Sequence, residues 1–499
     1  MRATTTLFSL SLLLAVSARN TYRSVLTDCL NTASVPILLT STTGWADEIE
    51  PYNLRFTPAP SVVAIPRTQA EVQSAVKCAH ANKIRVSVKG GGHSYGAYGL
   101  SGTLVLDMAE FQTVNLDQTT KIATVGAGVR LGNMANKLFS LGKRGVPHGT
   151  CEGVGIGGHA TLGGFGLDSR LWGLTVDTIS SVTAVLANGT AVTASASQNK
   201  ELFWALRGAG PGFAVVTSFK LKTFAAPAVN INWSYTYSFP TPAAAATAFQ
   251  IAQTWGQQSA PKELGYGIML FPGNAFIVRG VYYGAKAKYD ALIAPLLAKL
   301  KTAHGGVEPT KSVKTLGWID SLTDLAGAAL ATPARGYDAH DTFYAKSIVT
   351  AESAPLSFEA LTALFTYLYT VVPPSSAQWM IIANLYGGPG SVINSLPAST
   401  DPSSTSSYAH RTAGYVFQLY AYTANSLPPF DADIIPLVEG MVTAMGEEAA
   451  DLPAYAPYAD PELGQAEAQV RYWGDGVARL KVIKAQVDPM GILYNPQGF

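Results

Sequence analysis

The chain has 499 residues, of which 13% are charged and 48% are hydrophobic, and 34 Lys and Arg nearly balance 33 Asp and Glu, for a formal net charge of +1. This balance excludes a polyelectrolyte tail, a protein that coats nucleic acid and an intrinsically disordered chain. The length predicts two or three domains, each with its own core. The 47 glycines indicate many places where the backbone turns sharply or approaches another group closely.

The N-terminus is typical of a secretory signal. A basic residue precedes the apolar stretch Leu7–Ala18, which ends in small residues, so we predict a signal peptide over residues 1–18. The stretch is shorter than the roughly 20 residues that cross a bilayer, and the alternative is a buried N-terminal helix. We therefore expect a secreted protein that does not enter a membrane. Glycosylation sequons at Asn188 and Asn232 fit that route, although such motifs often occur by chance.

The first half of the chain alternates apolar runs with one amphipathic pattern. Residues 61–88 contain the strand candidates VVAIP and IRVSV on either side of the helical pattern TQAEVQSAVKCAHANK. Further strand candidates are TLVLDM, IATVGAG, SVTAVLANG, AVTASA and FAVVTSFKLKTF, separated by glycine-rich turns. This alternation predicts an α+β or α/β fold. The stretch FAAPAVN near Phe224 predicts a domain boundary.

Beyond this boundary the composition changes to fewer glycines and more helical patterns, such as TPAAAATAFQIAQTWGQQ and KAKYDALIAPLLAKLKTA. The strand candidates YGIMLF, FIVRGVYYG, WMIIANLYG and YVFQLYAY predict an antiparallel sheet flanked by helices. The final stretch, from about Tyr455, contains the aromatic cluster AYAPYAD and one long helical pattern, QAEAQVRYWGDGVARLKVIKAQVDP.

The chain has three cysteines, Cys29, Cys78 and Cys151. Three cysteines are too few for a disulfide scaffold. In an oxidising compartment two of them would pair and one would remain. The residues alone leave the pairing open.

The first glycine-rich cluster, KGGGHSYG, starts at Lys89 and directly follows a strand candidate. Consecutive glycines let backbone N–H groups converge on a phosphate without interference from Cβ atoms. The cluster lacks the GxxxxGK[ST] spacing of a P-loop, so we do not expect hydrolysis of a nucleoside triphosphate. The alternative is a tight turn with an incidental histidine.

The second cluster runs from Pro147 to Gly166, and within it Gly155, Gly157 and Ala160 match the G-x-G-x-x-A pattern of a dinucleotide-binding turn. That fingerprint follows an apolar strand and opens a helix, whereas here HGTCEGV precedes the match and more glycines follow it. We interpret the match as coincidental and predict a long backbone ribbon along an extended cofactor. An NAD-dependent dehydrogenase is the alternative.

These motifs resemble those of the vanillyl-alcohol-oxidase type of FAD-linked oxidases, in the berberine-bridge-enzyme-like branch that includes fungal oligosaccharide oxidases. The resemblance runs from about Cys29 to the C-terminus and rests on KGGGHSYG, HGTCEGVGIGGHATLGGFG, LFWALRGAGPGFAVVTSFK, YAHR and YAPYAD. It implies an α+β fold with a bipartite, PCMH-type FAD-binding domain over residues 26–226 and 451–499. An antiparallel-sheet-plus-helices substrate domain would occupy residues 227–450.

The resemblance also implies FAD bound through two covalent bonds, from His93 to the flavin 8α-methyl and from Cys151 to flavin C6. Imidazole and thiolate are nucleophiles suited to such bonds. Cys29 and Cys78 take the positions of the family's N-terminal disulfide, and Val154 lies where a small residue beside the flavin is typical of an oxidase. The other implied cofactor residues are Gly90, Gly91, Gly92 and Ser94 at the pyrophosphate, Gly155, Gly157, Gly158, His159, Gly163, Gly164 and Gly166 along the ribityl and adenine portions, and Val215 at the adenine end.

For catalysis, the family's sugar oxidases use a tyrosine as general base on the C1 hydroxyl, and Tyr458 matches that residue. Tyr95 matches a tyrosine that lines the sugar site. A free tyrosine has a pKa near 10, so it needs a neighbouring charge or a flavin dipole to act near neutral pH. Asn384 stands where the family often has an acid beside the base, and an Asn can orient a phenol but cannot take its proton. We expect Tyr458 as the base, positioned by Tyr95 and Asn384, or, alternatively, packed beside the flavin without a catalytic role.

The sequence therefore predicts a secreted, monomeric oxidase that converts the C1 hydroxyl of a mono- or oligosaccharide to the lactone and reduces O₂ to H₂O₂. No metal, nucleic acid or membrane partner is expected. One alternative keeps the flavin but oxidises an alcohol or secondary metabolite, as an oxidase or dehydrogenase. Another is a secreted carbohydrate-binding or allergen-like protein without turnover.

Overall fold

The computed structural model describes residues 24–337, 339–396 and 405–499. The predicted signal peptide, residues 1–18, lies outside the described residues. Within these ranges, no helix is both long enough and apolar enough to cross a membrane.

A four-stranded sheet forms the N-terminal part of the described chain. Strands β2, β4 and β3 run parallel, whereas β1 is antiparallel to β2. The helix Gln69–Ala81 forms the crossover from β2 to β3, and it begins where Thr68 Oγ1 accepts a hydrogen bond from Glu71 N. Because β3 ends at Lys89, the first glycine-rich loop starts at the carboxyl edge of this sheet. The strands are β1 (Ile37–Leu39), β2 (Val62–Ala64), β3 (Val86–Lys89) and β4 (Leu104–Asp107), in the order β1-β2-β4-β3.

A disulfide joins Cys29, in the helix formed by residues 24–32, to Cys78 in the helix Gln69–Ala81. Cys78 is buried among the side chains that cover the four-stranded sheet. The pairing implied by the family resemblance is confirmed, and Cys151 is the free cysteine.

A second sheet of five antiparallel strands follows in sequence, in the order β5-β6-β10-β8-β9. Strands β7 and β11 form a separate two-stranded ribbon. The second glycine-rich cluster lies between β7 and β8. The strands are β5 (Val114–Leu116), β6 (Ile122–Gly126), β7 (Arg144–Gly145), β8 (Ile179–Val185), β9 (Ala191–Ser195), β10 (Val215–Lys222) and β11 (Phe224–Ala225).

The expectation of a long extended ribbon through the second cluster is wrong for its central part. Residues Ile156–Leu162 form a helix, in which Ile156 and Ala160, one turn apart, are both fully buried. Burial of an apolar pair at this spacing stabilises the helix despite its glycines. Two short helices, Ser169–Trp172 and Thr175–Thr178, follow it.

The second half of the chain forms a seven-stranded antiparallel sheet in the order β15-β12-β14-β13-β17-β18-β16. One face packs against the helices Pro242–Ser259, Lys286–Ala303, Phe358–Thr370 and Ile434–Ala444, and the other face turns towards the glycine-rich clusters. The predicted antiparallel sheet with helices is confirmed. The strands are β12 (Asn230–Ser238), β13 (Leu264–Phe271), β14 (Ala275–Tyr283), β15 (Thr310–Leu316), β16 (Phe343–Ala351), β17 (Ala377–Leu385) and β18 (Ala413–Thr423).

The C-terminal segment returns to the first sheet, where Val86 N donates to Ile492 O at 2.7 Å. These contacts support our proposal that residues 26–226 and 451–499 form one domain. The single long helix predicted near the C-terminus is instead two helices, Gln465–Trp473 and Val477–Val487. The break falls at Gly474, which has a φ of +47°, a conformation that glycine adopts without steric cost.

The two glycosylation sequons differ in exposure. Asn188 is exposed in the turn between β8 and β9. Asn232 is only 4% exposed, and its Nδ2 donates to Ser321 O at 3.0 Å and to Asp324 Oδ2 at 2.9 Å. The expectation that Asn232 could carry a glycan therefore does not hold for the folded chain.

Candidate active site

The two residues expected to bond the flavin, His93 and Cys151, share their neighbours. The ring of Tyr52 stacks on the ring of His93, with centroids 4.4 Å apart. The ring of Tyr337 lies 5.7 Å from that of His93, and its hydroxyl donates to Glu152 Oε1 at 2.9 Å, directly beside Cys151. The fold thus brings both glycine-rich clusters to one place.

Backbone contact between the clusters requires glycine at Gly91 and Gly155. A Cβ at Gly91 would lie 2.3 Å from Gly155 N, and a Cβ at Gly155 would lie 2.2 Å from Gly91 N. The buried side chain of Arg130 connects the same segments, because its Nη1 donates to Gly91 O at 2.8 Å and also to Gly153 O. Sequence reasoning missed Arg130, since a single arginine outside any motif gives no local signal.

The chemistry of His93 and Cys151 fits a covalently held flavin. His93 Nε2 is buried and has no hydrogen-bond partner among the described residues, and burial lowers the pKa of His93 to about 3. The ring is therefore neutral and nucleophilic at ordinary pH. Cys151 is free and reaches solvent, although partial burial raises the pKa of its thiol. The donor atoms present, an imidazole nitrogen and a sulfur, are those that can add to a flavin ring.

Two pairs of the glycines expected to lie along the cofactor differ in how much protein surrounds them. Cβ atoms at Gly90 and Gly158 would meet little or no protein, the nearest atom to Gly90 being Ala127 O at 3.6 Å and none lying within 4 Å of Gly158. By contrast, a Cβ at Gly164 would lie 2.3 Å from Thr175 Oγ1, and one at Gly166 would lie 2.0 Å from His148 O. The first group can approach a ligand, whereas the second is required by protein packing.

The remaining predicted cofactor residues take varied places, and their contact with FAD stays a prediction. Gly92 has a φ of +81° and Gly163 a φ of +137°. Gly157 lies in the helix Ile156–Leu162, and a Cβ there would approach Ala127 O to 3.2 Å. Ser94 Oγ accepts a hydrogen bond from Tyr98 N at 3.0 Å, and His159 Nε2 accepts one from Gly149 N at 3.2 Å. Val154 is half-buried against the core of the second sheet, and Val215 is fully buried at the start of β10.

Tyr95 and Tyr458, predicted to act on the substrate, lie against each other. Their rings are stacked with centroids 5.9 Å apart, and Tyr95 lies 6.5 Å from Tyr52, which stacks on His93. Gln418 of β18 donates from Nε2 to the hydroxyl of Tyr95 at 2.7 Å. A continuous stack of rings therefore joins the predicted flavin attachment site to the predicted base.

The environment of Tyr458 favours its neutral form. Burial, and then Tyr455, raise the pKa of Tyr458, and no described cation lowers it. Burial also raises the pKa of Tyr95. Tyr458 therefore carries its proton at neutral pH unless a bound group stabilises the phenolate.

Asn384 lies on β17, opposite Gly267 of β13 and Val416 of β18. Its side chain makes no hydrogen bond to Tyr458, nor to any other residue that the structure describes. The roles assigned to Asn384, Tyr95 and Tyr458 remain predictions.

The part of the large sheet that turns towards these tyrosines is partly open to solvent. Over residues 276–280 of β14 and 379–385 of β17, alternate residues are buried on the helix side, and the residues between them are half-buried. We call this open surface the groove face, defined by Ile277, Arg279, Met380, Ile382 and Asn384.

Comparison with known proteins agrees with this arrangement. A family described as an FAD binding domain matches residues 60–195, and a family described as berberine and berberine like matches residues 454–499. The chain is 36% identical to a xylooligosaccharide oxidase of Thermothelomyces thermophilus, over 97% of this chain and 96% of that one. Both chains are thus matched almost end to end.

Solved structures match the fold over the same extent. The xylooligosaccharide oxidase from Myceliophthora thermophila C1 in complex with xylobiose superposes with a TM-score of 0.86 at 35% identity, over 95% of this chain and 98% of that chain. The glucooligosaccharide oxidase from Acremonium strictum, described with a 6-S-cysteinyl, 8α-N1-histidyl FAD, superposes with a TM-score of 0.87 at 31% identity, over 95% and 98% of the two chains. The predicted α+β fold is confirmed. The chain belongs to the family of FAD-linked oxidoreductases that combine this FAD binding domain with a berberine-like C-terminal segment.

Proposed function

We propose that this protein is a secreted oxidase that converts the C1 hydroxyl of a mono- or oligosaccharide to the lactone. The sugar loses two electrons and two protons, and O₂ gains both as H₂O₂. The observation that carries the proposal is the stack of rings from His93 through Tyr52 and Tyr95 to Tyr458, beside the open groove face. The similarity to xylo- and glucooligosaccharide oxidases supports a carbohydrate substrate.

In this proposal FAD is bonded through both His93 and Cys151, and it supplies the acceptor for the two electrons that leave C1. Tyr458 takes the proton of the C1 hydroxyl at its phenolic oxygen. Tyr95, hydrogen-bonded by Gln418, holds the ring of Tyr458 in place by stacking. Because the pKa of Tyr458 is raised, proton transfer requires that the bound complex stabilise the phenolate.

Peroxide detection with a panel of substrates tests the reaction. We expect turnover of xylobiose, cellobiose or chitobiose, and little turnover of aromatic alcohols. No turnover of any aldose, with turnover of an alcohol, would replace the sugar by a secondary metabolite. If no candidate reduces the flavin under anaerobic conditions, the proposal fails, and the alternative of a carbohydrate-binding protein without turnover is favoured.

Acid precipitation tests the two flavin bonds. The flavin is expected to stay with the pellet in the wild type, in His93→Ala and in Cys151→Ala, because each single variant keeps one bond. It is expected to be released from the double variant. Release from the wild type would refute covalent attachment, and release from one single variant would assign the bond to the residue replaced there.

A further inference from the structure

Arg279 lies on β14, at one side of the groove face. Its neighbours along β14, Val278 and Gly280, are buried, and Val278 belongs to the core on the helix side. Since successive side chains of a strand point to opposite faces, the side chain of Arg279 extends on the groove side, where it is half-buried.

The guanidinium of Arg279 has no partner in the part of the chain that the structure describes: it makes neither a hydrogen bond nor an ion pair. The carboxylate that acts on it through space, Asp324, already accepts a hydrogen bond from Asn232 at 2.9 Å and pairs with Lys314. A guanidinium offers five donors in a planar fork and keeps its charge at all ordinary pH values. Shielding such a group without an anion is unfavourable.

The charges of the surrounding sheet also favour an anion. None of the seven strands contains an Asp or Glu, and Asn384 stands where an acid would be expected. Arg279, Gly267 and Asn384 form one row across β14, β13 and β17. Two strand spacings of roughly 4.8 Å separate the Cα atoms of Arg279 and Asn384. Gly267 between them has no side chain, and the amide of Asn384 leans over it, since a Cβ at Gly267 would lie 2.9 Å from Asn384 Oδ1.

We propose that Arg279 binds a carboxylate of the sugar substrate, so that the preferred substrate is an oligosaccharide with a uronic acid unit at or next to the oxidised end. This inference rests on the proposed function, because it places the reacting end near Asn384 and Tyr458. The guanidinium fork matches the two oxygens of a carboxylate. A charge-assisted pair of this kind favours the acid over its neutral analogue by about tenfold or more.

The test compares digalacturonate with its dimethyl ester, which differs only in charge and two methyl groups. We expect the wild type to show a kcat/KM at least about tenfold higher for the acid, mainly through KM, and we expect this ratio to fall as salt is added. In Arg279→Met the ratio is expected to approach one, and Arg279→Lys should restore part of it. Lys311→Met removes an exposed cation of β15 that does not pair with Asp324, so it serves as the matched control and should keep the wild-type ratio.

The outcomes separate this inference from the proposed function. Oxidation of neutral disaccharides with equal kcat/KM for acid and ester in the wild type would overturn the inference alone, and this arm needs no variant to fold. If Arg279→Met and Lys311→Met lose the ratio equally, a general positive field rather than a specific contact selects the acid, and the inference is also overturned. No oxidation of any sugar, charged or neutral, would overturn the proposed function and the inference with it.

Discussion

The phenolic hydroxyl of Tyr455 connects the C-terminal segment to the second glycine-rich cluster. Tyr455 is 3% exposed, and its oxygen accepts hydrogen bonds from Gly164 N at 3.0 Å and from Phe165 N at 3.2 Å. Tyr455→Phe removes the acceptor and leaves two buried N–H donors unpaired. At about 1–3 kcal/mol for each buried donor without a partner, the two donors together predict a loss of about 2–6 kcal/mol in the free energy of unfolding.

Thermal unfolding followed by circular dichroism measures this loss, which should appear as a fall of several degrees in Tm, since about 1 kcal/mol shifts Tm by roughly 2–4 °C in a domain of this size. Tyr369→Phe is the matched control, because its hydroxyl donates a single bond to Phe239 O at 2.8 Å and its removal leaves one carbonyl without that donor. We expect a cost of about 1 kcal/mol or less there. Equal shifts in the two variants would refute the reasoning, because they would show that the two N–H groups find other acceptors.

Three further predictions follow from the structure. Replacing Cys29 and Cys78 by alanine removes a disulfide between residues 49 positions apart. In the chain-entropy treatment this lowers the free energy of unfolding by about 4 kcal/mol. The denaturation midpoint should fall, and a reducing agent should no longer change it. The pKa of Tyr458 is raised, and a general base acts in its deprotonated form, so kcat/KM should rise with pH through neutrality without a plateau below pH 9. Tyr458→Phe should abolish this rise. A flat pH profile in the wild type would show that Tyr458 is not the base. In a secreted preparation, Asn188→Gln should lower the mass by one glycan and Asn232→Gln should not, and a mass change at Asn232 would contradict its burial.

Local patterns predicted most of the regular structure of this chain. The helix Gln69–Ala81 and the strand β17 were both expected, because periodic apolar residues determine which side of an element is buried. The helix Ile156–Leu162 was not predicted, because its glycines disfavour a helix and its single apolar pair is too short a pattern to indicate one. The edge strand β16 was also not predicted, because Lys346 interrupts its apolar run. Burial of this lysine is stabilised by ion pairs with Glu439 and Asp460, which come from distant parts of the sequence.

The residues of the candidate site also divide into those that the sequence indicated and those that it did not. The family resemblance of the two glycine-rich clusters pointed to His93 and Cys151, and the clusters themselves were visible because the requirement for glycine is a property of the local backbone. Tyr52, Arg130 and Tyr337 carry no such signal. They reach the site from separate segments, and their importance arises from contacts with His93 and Gly91.

The sequence by itself determined the family, the two glycine-rich clusters and the candidate cofactor and reactive residues, since these depend on residue type and short spacing. Tertiary structure decided which residues face one another. The hydrogen bond from Gln418 to Tyr95 joins positions 323 apart, and the isolation of Arg279 depends on the register of seven strands. Distant pairings arise only when the sheet closes over the glycine-rich clusters, because the order and register of the strands fix which side chains share a face.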